Sequence, residues 1–407
     1  MTEARTKSGR NPYRWVLLAG VWAVYFSFGV TIASLAPLIT PVGEELGLSK
    51  TTMGAVLASW PFVYIAAAIP CGILVERLGA RAALFIAACL MASSGLVRAQ
   101  ADGAALLFLA GALFGIGGPL VSVGAPTLIA RLFQGAERGS AMGIYITGPY
   151  LGSIATLSLT NSVLMPFFGD DWRAVLTYIS AFVICVGLVW LLLARQPAAK
   201  ALLAQPGDAK KFDPGAFADI LKSPEVRIVL AMAVGVFFIN HGMNNWLVEI
   251  LRAHGLSAER AGFWAAVPAA IGVIGALVIP RYATPERRLW IMAALVASAF
   301  VASVLIQSND EPALITGLFL QGVARSSLMT VTVMLLMEAR DVPKDRLGLA
   351  GGVFFTVAEI GGVLGPFSFG LLLDLSGTIH LPLGAISLAA IVLGLLLARL
   401  RALHARA

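Results

Sequence analysis

Two ionisable residues, Arg325 and Glu359, lie near the middle of long apolar stretches. A charge at the centre of a membrane-spanning helix costs about 2.5–3.5 kcal/mol on insertion scales, so each one calls for a partner or a task. Arg325 keeps its proton and is a fixed positive site suited to a carboxylate or similar anion. Glu359 can take up a proton when it is desolvated, which suits it to proton coupling. The alternative is that the two residues pair with each other.

A second polar group interrupts another apolar stretch, where Asn240, His241, Asn244 and Asn245 fall within six positions. In a helix, Asn240 and Asn244 share one face, whereas His241 and Asn245 share the adjoining face. Because Gly242 lies among them, the pattern favours a broken helix that lines a wet cavity. Hydrogen bonds between packed helices are the structural alternative.

The composition explains where these groups reside. The 407 residues are 58% hydrophobic and only 13% charged, whereas soluble domains carry about 25% charged residues. The net charge of +7 does not indicate nucleic-acid binding, because the basic residues punctuate apolar runs instead of gathering on one exposed face. The three cysteines are too widely spaced for a short metal motif and fit no obvious disulfide framework. We therefore predict an integral membrane protein without a metal or cofactor.

Apolar stretches bounded by charge, glycine or proline predict twelve transmembrane helices, since each crossing needs about 20 apolar residues. They lie near 14–40, 50–75, 81–99, 104–132, 138–164, 172–194, 227–250, 258–280, 288–307, 312–337, 347–373 and 381–399. The predicted divisions are a cytoplasmic tail at 1–13, a six-helix bundle at 14–194, a cytoplasmic linker at 195–226, a second six-helix bundle at 227–402 and a tail at 403–407.

The distribution of positive charge predicts the orientation. With the N-terminus inside, the segments outside hold only five of the 29 Lys and Arg residues: Lys50, Arg98, Arg173, Arg252 and Arg260. Arg325 lies in mid-membrane and the rest fall inside, which is the skew that the positive-inside rule requires. Both termini are therefore expected in the cytoplasm, in an inner (plasma) membrane protein that crosses the bilayer many times.

The loop after the second span reads Gly-Ile-Leu-Val-Glu-Arg-Leu-Gly-Ala-Arg over residues 72–81. It resembles the signature loop of the major facilitator superfamily, with Glu76 at the usual acidic position. The resemblance implies an all-α fold of two pseudo-symmetric six-helix bundles and a loop that acts as a latch between states. A tight loop that carries positive-inside charge is the alternative. The residues assigned to this gating loop are Gly72, Glu76, Arg77, Gly79 and Arg81.

In the fifth span, Gly148, Pro149 and Gly152 look like the Gly-Pro motif of proton-coupled exporters in that superfamily. The match is incomplete, because Ser153 stands where the motif's final glycine pair would end. Glycine and proline suit a bend at a seam between the bundles, whereas a kinked helix without bearing on transport direction is equally compatible.

The resemblance also implies which side chains surround a central cavity. Spans one, four, seven and ten resemble the cavity-lining helices of the superfamily, and spans two, five, eight and eleven flank them. Beside Arg325 and Glu359, the assigned substrate contacts are Asn240, His241, Asn244, Gln321, Tyr25, Tyr64, Tyr145 and Trp264. Ordinary packing is the alternative for any single aromatic residue.

These observations predict a secondary transporter that moves a small organic anion by alternating access, possibly with protons, as a monomer in the lipid bilayer. A proton-coupled exporter of drugs or apolar metabolites is the alternative. A channel would need a polar stripe through the whole bilayer, whereas these polar residues cluster at mid-depth. No nucleophile with a base, metal cluster or phosphate loop points to an enzyme.

Overall fold

The structure, a computed structural model, describes residues 11–203, 221–339, 342 and 347–406. All regular secondary structure in these ranges is helical. In the first half the long helices are α1 (Tyr13–Ala33), the stretch Lys50–Ala99, which Gly79 divides into α2 before it and α3 after it, α4 (Ala104–Leu132), α5 (Gly135–Leu159) and α6 (Trp172–Arg195). In the second half they are α7 (Pro224–Ala253), α8 (Ala258–Tyr282), α9 (Pro285–Leu305), α10 (Glu311–Met337), α11 (Leu347–Ser376) and α12 (His380–Arg406).

Polar residues at the first turns determine where several of these helices begin. The side chains of Asp171, Ser223, Ser257 and Asp310 accept hydrogen bonds from backbone N–H groups in the first turns of α6, α7, α8 and α10. Each cap satisfies a donor that a helix start leaves without an internal partner. Short helices Ala36–Leu38 and Ile39–Glu45 follow α1, and a π-helical turn, Thr160–Leu164, extends α5.

The prediction of an all-helical membrane protein is confirmed. Eleven helices in the described residues are long and apolar enough to cross a bilayer. The remaining long helix, α5, has Glu137 and Arg138 near its start and Pro149 in its interior, which makes it more polar than the others. It has 25 residues and packs between α1 and α8.

The two halves, α1–α6 and α7–α12, meet mainly where α2 packs on α11 and α5 packs on α8. Glycines permit these contacts. A Cβ atom built on Gly54 of α2 would lie 2.6 Å from the carbonyl oxygen of Pro366, and one on Gly262 of α8 would lie 2.4 Å from that of Leu157. Both distances are too short for a real side chain, so the facing helices touch at their backbones.

The division into two bundles with a linker at 195–226 remains a prediction. Residues 197–203 of that interval form a helix, Pro197–Leu203, whereas residues 204–220 lie outside the described residues, as do residues 1–10 of the predicted N-terminal tail and residue 407.

The predicted break in the seventh span is wrong. Helix α7 runs from Pro224 to Ala253 as one element, and the amide of Asn245 donates to the carbonyl oxygen of His241 one turn earlier. Gly242 serves packing instead, because a Cβ atom on the facing Gly365 of α11 would lie 2.9 Å from its backbone nitrogen. A glycine at a close helix contact leaves the same sequence signature as a glycine at a break.

The residues of the Gly-Pro motif lie against α1. A Cβ atom on Gly152 would lie 2.2 Å from the carbonyl oxygen of Phe26, and one on Gly29 would lie 2.1 Å from that of Pro149. The motif is therefore a close backbone contact between α1 and α5 within the first half. A bend of α5 at this motif during transport remains a prediction.

This contact makes Gly152→Ala a test of packing. We expect the variant to destabilise the protein by about 1–3 kcal/mol, because the added methyl group collides with backbone that has no room to move. Gly139→Ala, on the same helix, is the matched control, since a Cβ atom there meets nothing within 4 Å. Thermal unfolding in detergent compares the two, and equal midpoints would refute the packing role of Gly152.

Candidate functional site

The two halves also meet through aromatic rings near mid-depth. The imidazole of His241 on α7 stacks on the indole of Trp60 on α2, with ring centroids 5.1 Å apart and planes inclined by 25°. It also stacks on Phe237, one turn earlier on α7, at 5.4 Å. Trp60 is buried. His241 is therefore a residue of the second half that is held directly against the first.

Glu359 on α11 is the carboxylate nearest to this ring. Its Oε2 atom lies 3.9 Å from Nδ1 of His241, and its residue surface is 4% exposed. Neither atom makes a hydrogen bond with any described residue. Gly362 forms the adjoining wall, because a Cβ atom there would lie 2.2 Å from that carboxylate oxygen and 2.9 Å from the imidazole nitrogen.

Three predicted tyrosines of the first half lie close to one another. The rings of Tyr25 and Tyr145 stack with centroids 4.8 Å apart and planes inclined by 7°. The hydroxyl group of Tyr64 lies 2.9 Å from that of Ser122, and Tyr64 is also close enough to Glu359 for an electrostatic interaction. The structure thus places Tyr64 beside the carboxylate, and Tyr25 and Tyr145 interact with Tyr64.

Arg325 completes the group from α10. It lies 14 residues from the start of that helix, roughly 21 Å along its axis, and interacts electrostatically with Tyr150 and His241. Among the described residues it forms no ion pair, so the alternative in which Arg325 and Glu359 pair with each other is not the arrangement seen here. Tyr150 was not among the predicted site residues, because a single tyrosine beside a Gly-Pro motif gives no distinguishing signal.

Of the remaining predicted substrate contacts, three lie on α7 or α10 near His241 or Arg325, and one lies apart from them. Asn240 is buried, and its Oδ1 atom has no hydrogen-bond partner in the described part of the chain. Gln321 is buried one turn before Arg325, and Asn244 follows Asn240 by one turn. Trp264 lies apart from the group, in a hollow of about 260 Å³ with His254 and other residues near the ends of α7, α8 and α10. Its position does not support a contact with a central ligand.

The signature loop is a tight connection between two helices. Only Gly79 has non-helical dihedral angles between α2 and α3, with φ 75°, which a residue without a side chain adopts readily. Gly72 does not provide a close helix approach, because a Cβ atom there meets nothing within 4 Å. The Arg81 carbonyl accepts from the indole N–H of Trp190, and Arg77 is exposed. The Glu76 side chain lies outside the described part, so its charge network remains a prediction.

Among the described residues, polar contacts join the halves at the end where α1 finishes and α2 begins, which we call the distal end. Asp374 of α11 accepts hydrogen bonds from the backbone nitrogens of Lys50 and Thr51, at 3.1 and 2.7 Å, and so caps α2 from the other half. Glu249 of α7 accepts from the hydroxyl of Thr40 at 2.8 Å and lies 3.3 Å from Nζ of Lys50. Sequence reasoning missed this closure, because acidic residues at helix ends are ordinary surface residues.

Two closely packed helical halves, a polar group enclosed between them at mid-depth and a closure at one end define a membrane transport protein. The family model described as Major Facilitator Superfamily matches residues 21–366. The chain belongs to this superfamily of transporters. The resemblance inferred from the loop at residues 72–81 is therefore confirmed, and the protein is a multi-pass membrane protein.

Similar proteins agree with this assignment. The chain is 25% identical to the probable galactarate/D-glucarate transporter of Bacillus subtilis, over 95% of this chain and 92% of that protein. It is 24% identical to the D-galactonate transporter of Escherichia coli, over 90% of each chain. Among solved structures, a nucleoside transporter superposes with a TM-score of 0.75 at 15% identity, covering 94% of this chain and 99% of the other. The last comparison bears on the fold alone.

Proposed function

We propose that the protein transports a small hydroxylated organic acid, of the sugar-acid type, by alternating access. The observation that carries this proposal is Arg325, a fixed cation at mid-depth that forms no ion pair among the described residues. A cation at this depth in a membrane protein requires compensation, and a carboxylate that enters and leaves supplies it. Two relatives are named for transport of galactarate, glucarate and galactonate, all of which are such acids.

The opposite wall suits the rest of such a molecule. Tyr25, Tyr64, Tyr145 and Tyr150 each present a ring face and a hydroxyl group, and Asn240 offers an amide oxygen without a partner in the described part of the chain. A chain of hydroxyl groups can exchange its water hydrogen bonds for these partners, whereas aromatic faces pack against its C–H groups. Arg325 would hold the carboxylate, and the tyrosines of the first half together with Asn240 of the second would bind the hydroxyl groups.

Glu359 is proposed to carry the coupled proton. It is buried, has no hydrogen bond from a described residue at Oε2, and lies on a helix that forms the interface between the halves. With both termini proposed in the cytoplasm, the joined distal end faces outside, and the described state is closed to that side. Substrate and proton would then leave together toward the cytoplasm in an importer.

Uptake by purified protein in liposomes tests the proposal. We expect accumulation of radiolabelled D-galactonate when the outside is acidic, competition by D-glucarate and galactarate, and no competition by neutral D-galactose. The acids should also raise the thermal unfolding midpoint by mass action. Stabilisation by cationic or neutral apolar compounds, with none by the acids, would refute the proposal and favour the drug or metabolite exporter.

A further inference from the structure

We propose that His241 and Glu359 form one proton-binding pair, which holds a single proton between them and transmits its state to the first half through Trp60. The inference rests on the proposed proton coupling and deepens it, because it makes the histidine a member of the proton site instead of a substrate contact. The pair is formed by α7 and α11, and its link to the first half crosses to α2.

The geometry of the two groups supports sharing. Nδ1 of His241 and Oε2 of Glu359 are buried, face each other across 3.9 Å, and have no other hydrogen-bond partner in the described ranges. A movement of about 1 Å would bring them to hydrogen-bonding distance. Burial removes water from both atoms, so leaving them without a hydrogen bond costs free energy. One shared proton would complete a hydrogen bond between them.

The backbone has a niche for this pair. Helices α7 and α11 approach so closely that a Cβ atom on Gly361 would lie 1.9 Å from the carbonyl oxygen of Val234. The next residue, Gly362, faces the pair itself, and a methyl group there would collide with both the carboxylate and the imidazole. Gly361 therefore explains the helix contact, whereas Gly362 leaves room for the two side chains.

Few other charges face the pair. From α10, Arg325 interacts electrostatically with His241, and from α2, Tyr64 does so with Glu359. From α12, the apolar Ile386 packs beside Gly242, next to the histidine, and on α7 itself Phe237 covers the ring. Of these groups only Arg325 carries a permanent charge. An anion bound to Arg325 would therefore change the field at His241 directly, which couples substrate to proton.

The stack on Trp60 gives the proton a structural consequence. When the proton is on the imidazole, the positive ring gains a cation–π interaction with Trp60 and Phe237, and indole is the best such partner. When the proton is on Glu359, the ring is neutral and this gain is lost. Because Trp60 belongs to the first half and His241 to the second, the position of the proton changes the strength of a contact between the halves.

Nitrogen NMR of ¹⁵N-histidine-labelled protein tests the pair without any substrate. The chain has four histidines, and His241→Gln identifies the signal of interest by its disappearance. We expect the titration midpoint of His241 to differ by about one pH unit or more between the wild type and Glu359→Gln, because a charge within 4–6 Å of a titrating group shifts it by that order. Equal midpoints would overturn the proposal.

Gly362→Ala and Gly352→Ala provide the matched comparison on α11. The first places a methyl group against the pair, whereas a Cβ atom on Gly352 meets nothing within 4 Å. We expect the His241 signal to change its titration in Gly362→Ala and to stay unchanged in Gly352→Ala. The same response in both variants would contradict the niche. If Gly362→Ala does not fold, the comparison of the wild type with Glu359→Gln still decides.

A transport measurement separates failure of the pair from failure of the proposed function. In liposomes, His241→Gln should abolish accumulation of D-galactonate driven by a pH gradient while retaining exchange of D-galactonate across the membrane, which needs no net proton movement. If His241→Gln kept normal pH-driven accumulation and Glu359→Gln lost it, Glu359 would carry the proton without His241. That result would reject the pair. Absence of D-galactonate transport in the wild type would reject the substrate but leave the NMR result to judge the pair.

Discussion

Arg325→Gln is expected to weaken D-galactonate binding by roughly 30-fold or more and to reduce uptake to the background of empty liposomes. Removing the cationic member of a desolvated ion pair costs about 2–5 kcal/mol, and 1.4 kcal/mol corresponds to a factor of ten. Glutamine keeps hydrogen-bond donors and a similar length, so the variant isolates the charge. Binding is measured by isothermal titration of purified protein, and uptake by radiolabel in liposomes.

Two further variants make that result specific. Arg260→Gln removes an arginine from the same half, but this residue is exposed and its contact with Glu311, at 4.0 Å, is a surface ion pair of small value. Arg325→Lys keeps the charge but loses the planar fork, so we expect intermediate affinity. Unchanged affinity in Arg325→Gln, with its unfolding midpoint intact, would show that the guanidinium does not hold the substrate.

Asp374→Asn combined with Glu249→Gln is expected to open the distal end. Each carboxylate accepts hydrogen bonds from the first half, and hydrogen bonds to charged groups contribute about 1.5–3 kcal/mol each. Even a loss of about 3 kcal/mol raises the ratio of open to closed protein by roughly 100-fold. Spin labels at positions 102 and 259, in opposite halves, report the separation once the three native cysteines are replaced by alanine.

Asp310→Asn is the matched control for the distal closure. Asp310 also caps a helix, accepting from the backbone nitrogen of Ala313 at 3.1 Å, but that helix belongs to its own half. Loss of this cap should lower stability by about 1 kcal/mol without a longer label distance. If the double variant kept the wild-type distance distribution, the two carboxylates would not hold the halves together.

The sequence was informative wherever a residue conflicted with its surroundings. Arg325 and Glu359 were found because a charge in an apolar stretch needs a reason, and the structure buries Glu359 and places Arg325 beside Tyr150 and His241. Their partners were not predictable in the same way. Depth along a helix can be counted from sequence, but rotation about the helix axis depends on packing, so Glu359 faces His241 and not Arg325.

Glycines were the main source of error for a related reason. The same residue type permits a positive φ at Gly79, a backbone contact at Gly242 and a space for side chains at Gly362. These roles share one physical property, the missing Cβ atom, and differ only in what lies opposite. The predicted break in α7 failed because the facing helix was unknown, whereas the latch at residues 72–81 remains a prediction.

The single non-helical residue between α2 and α3 limits how the first half can move. A connection of one residue is too short to let α2 move away from α11 independently of α3. Helices α2 and α3 in turn pack on α4 and α6. When the distal closure opens, the helices of the first half must therefore move together as one rigid unit. Inserting residues at Gly79 would allow α2 to move independently of α3 while leaving every side chain of the central group in place.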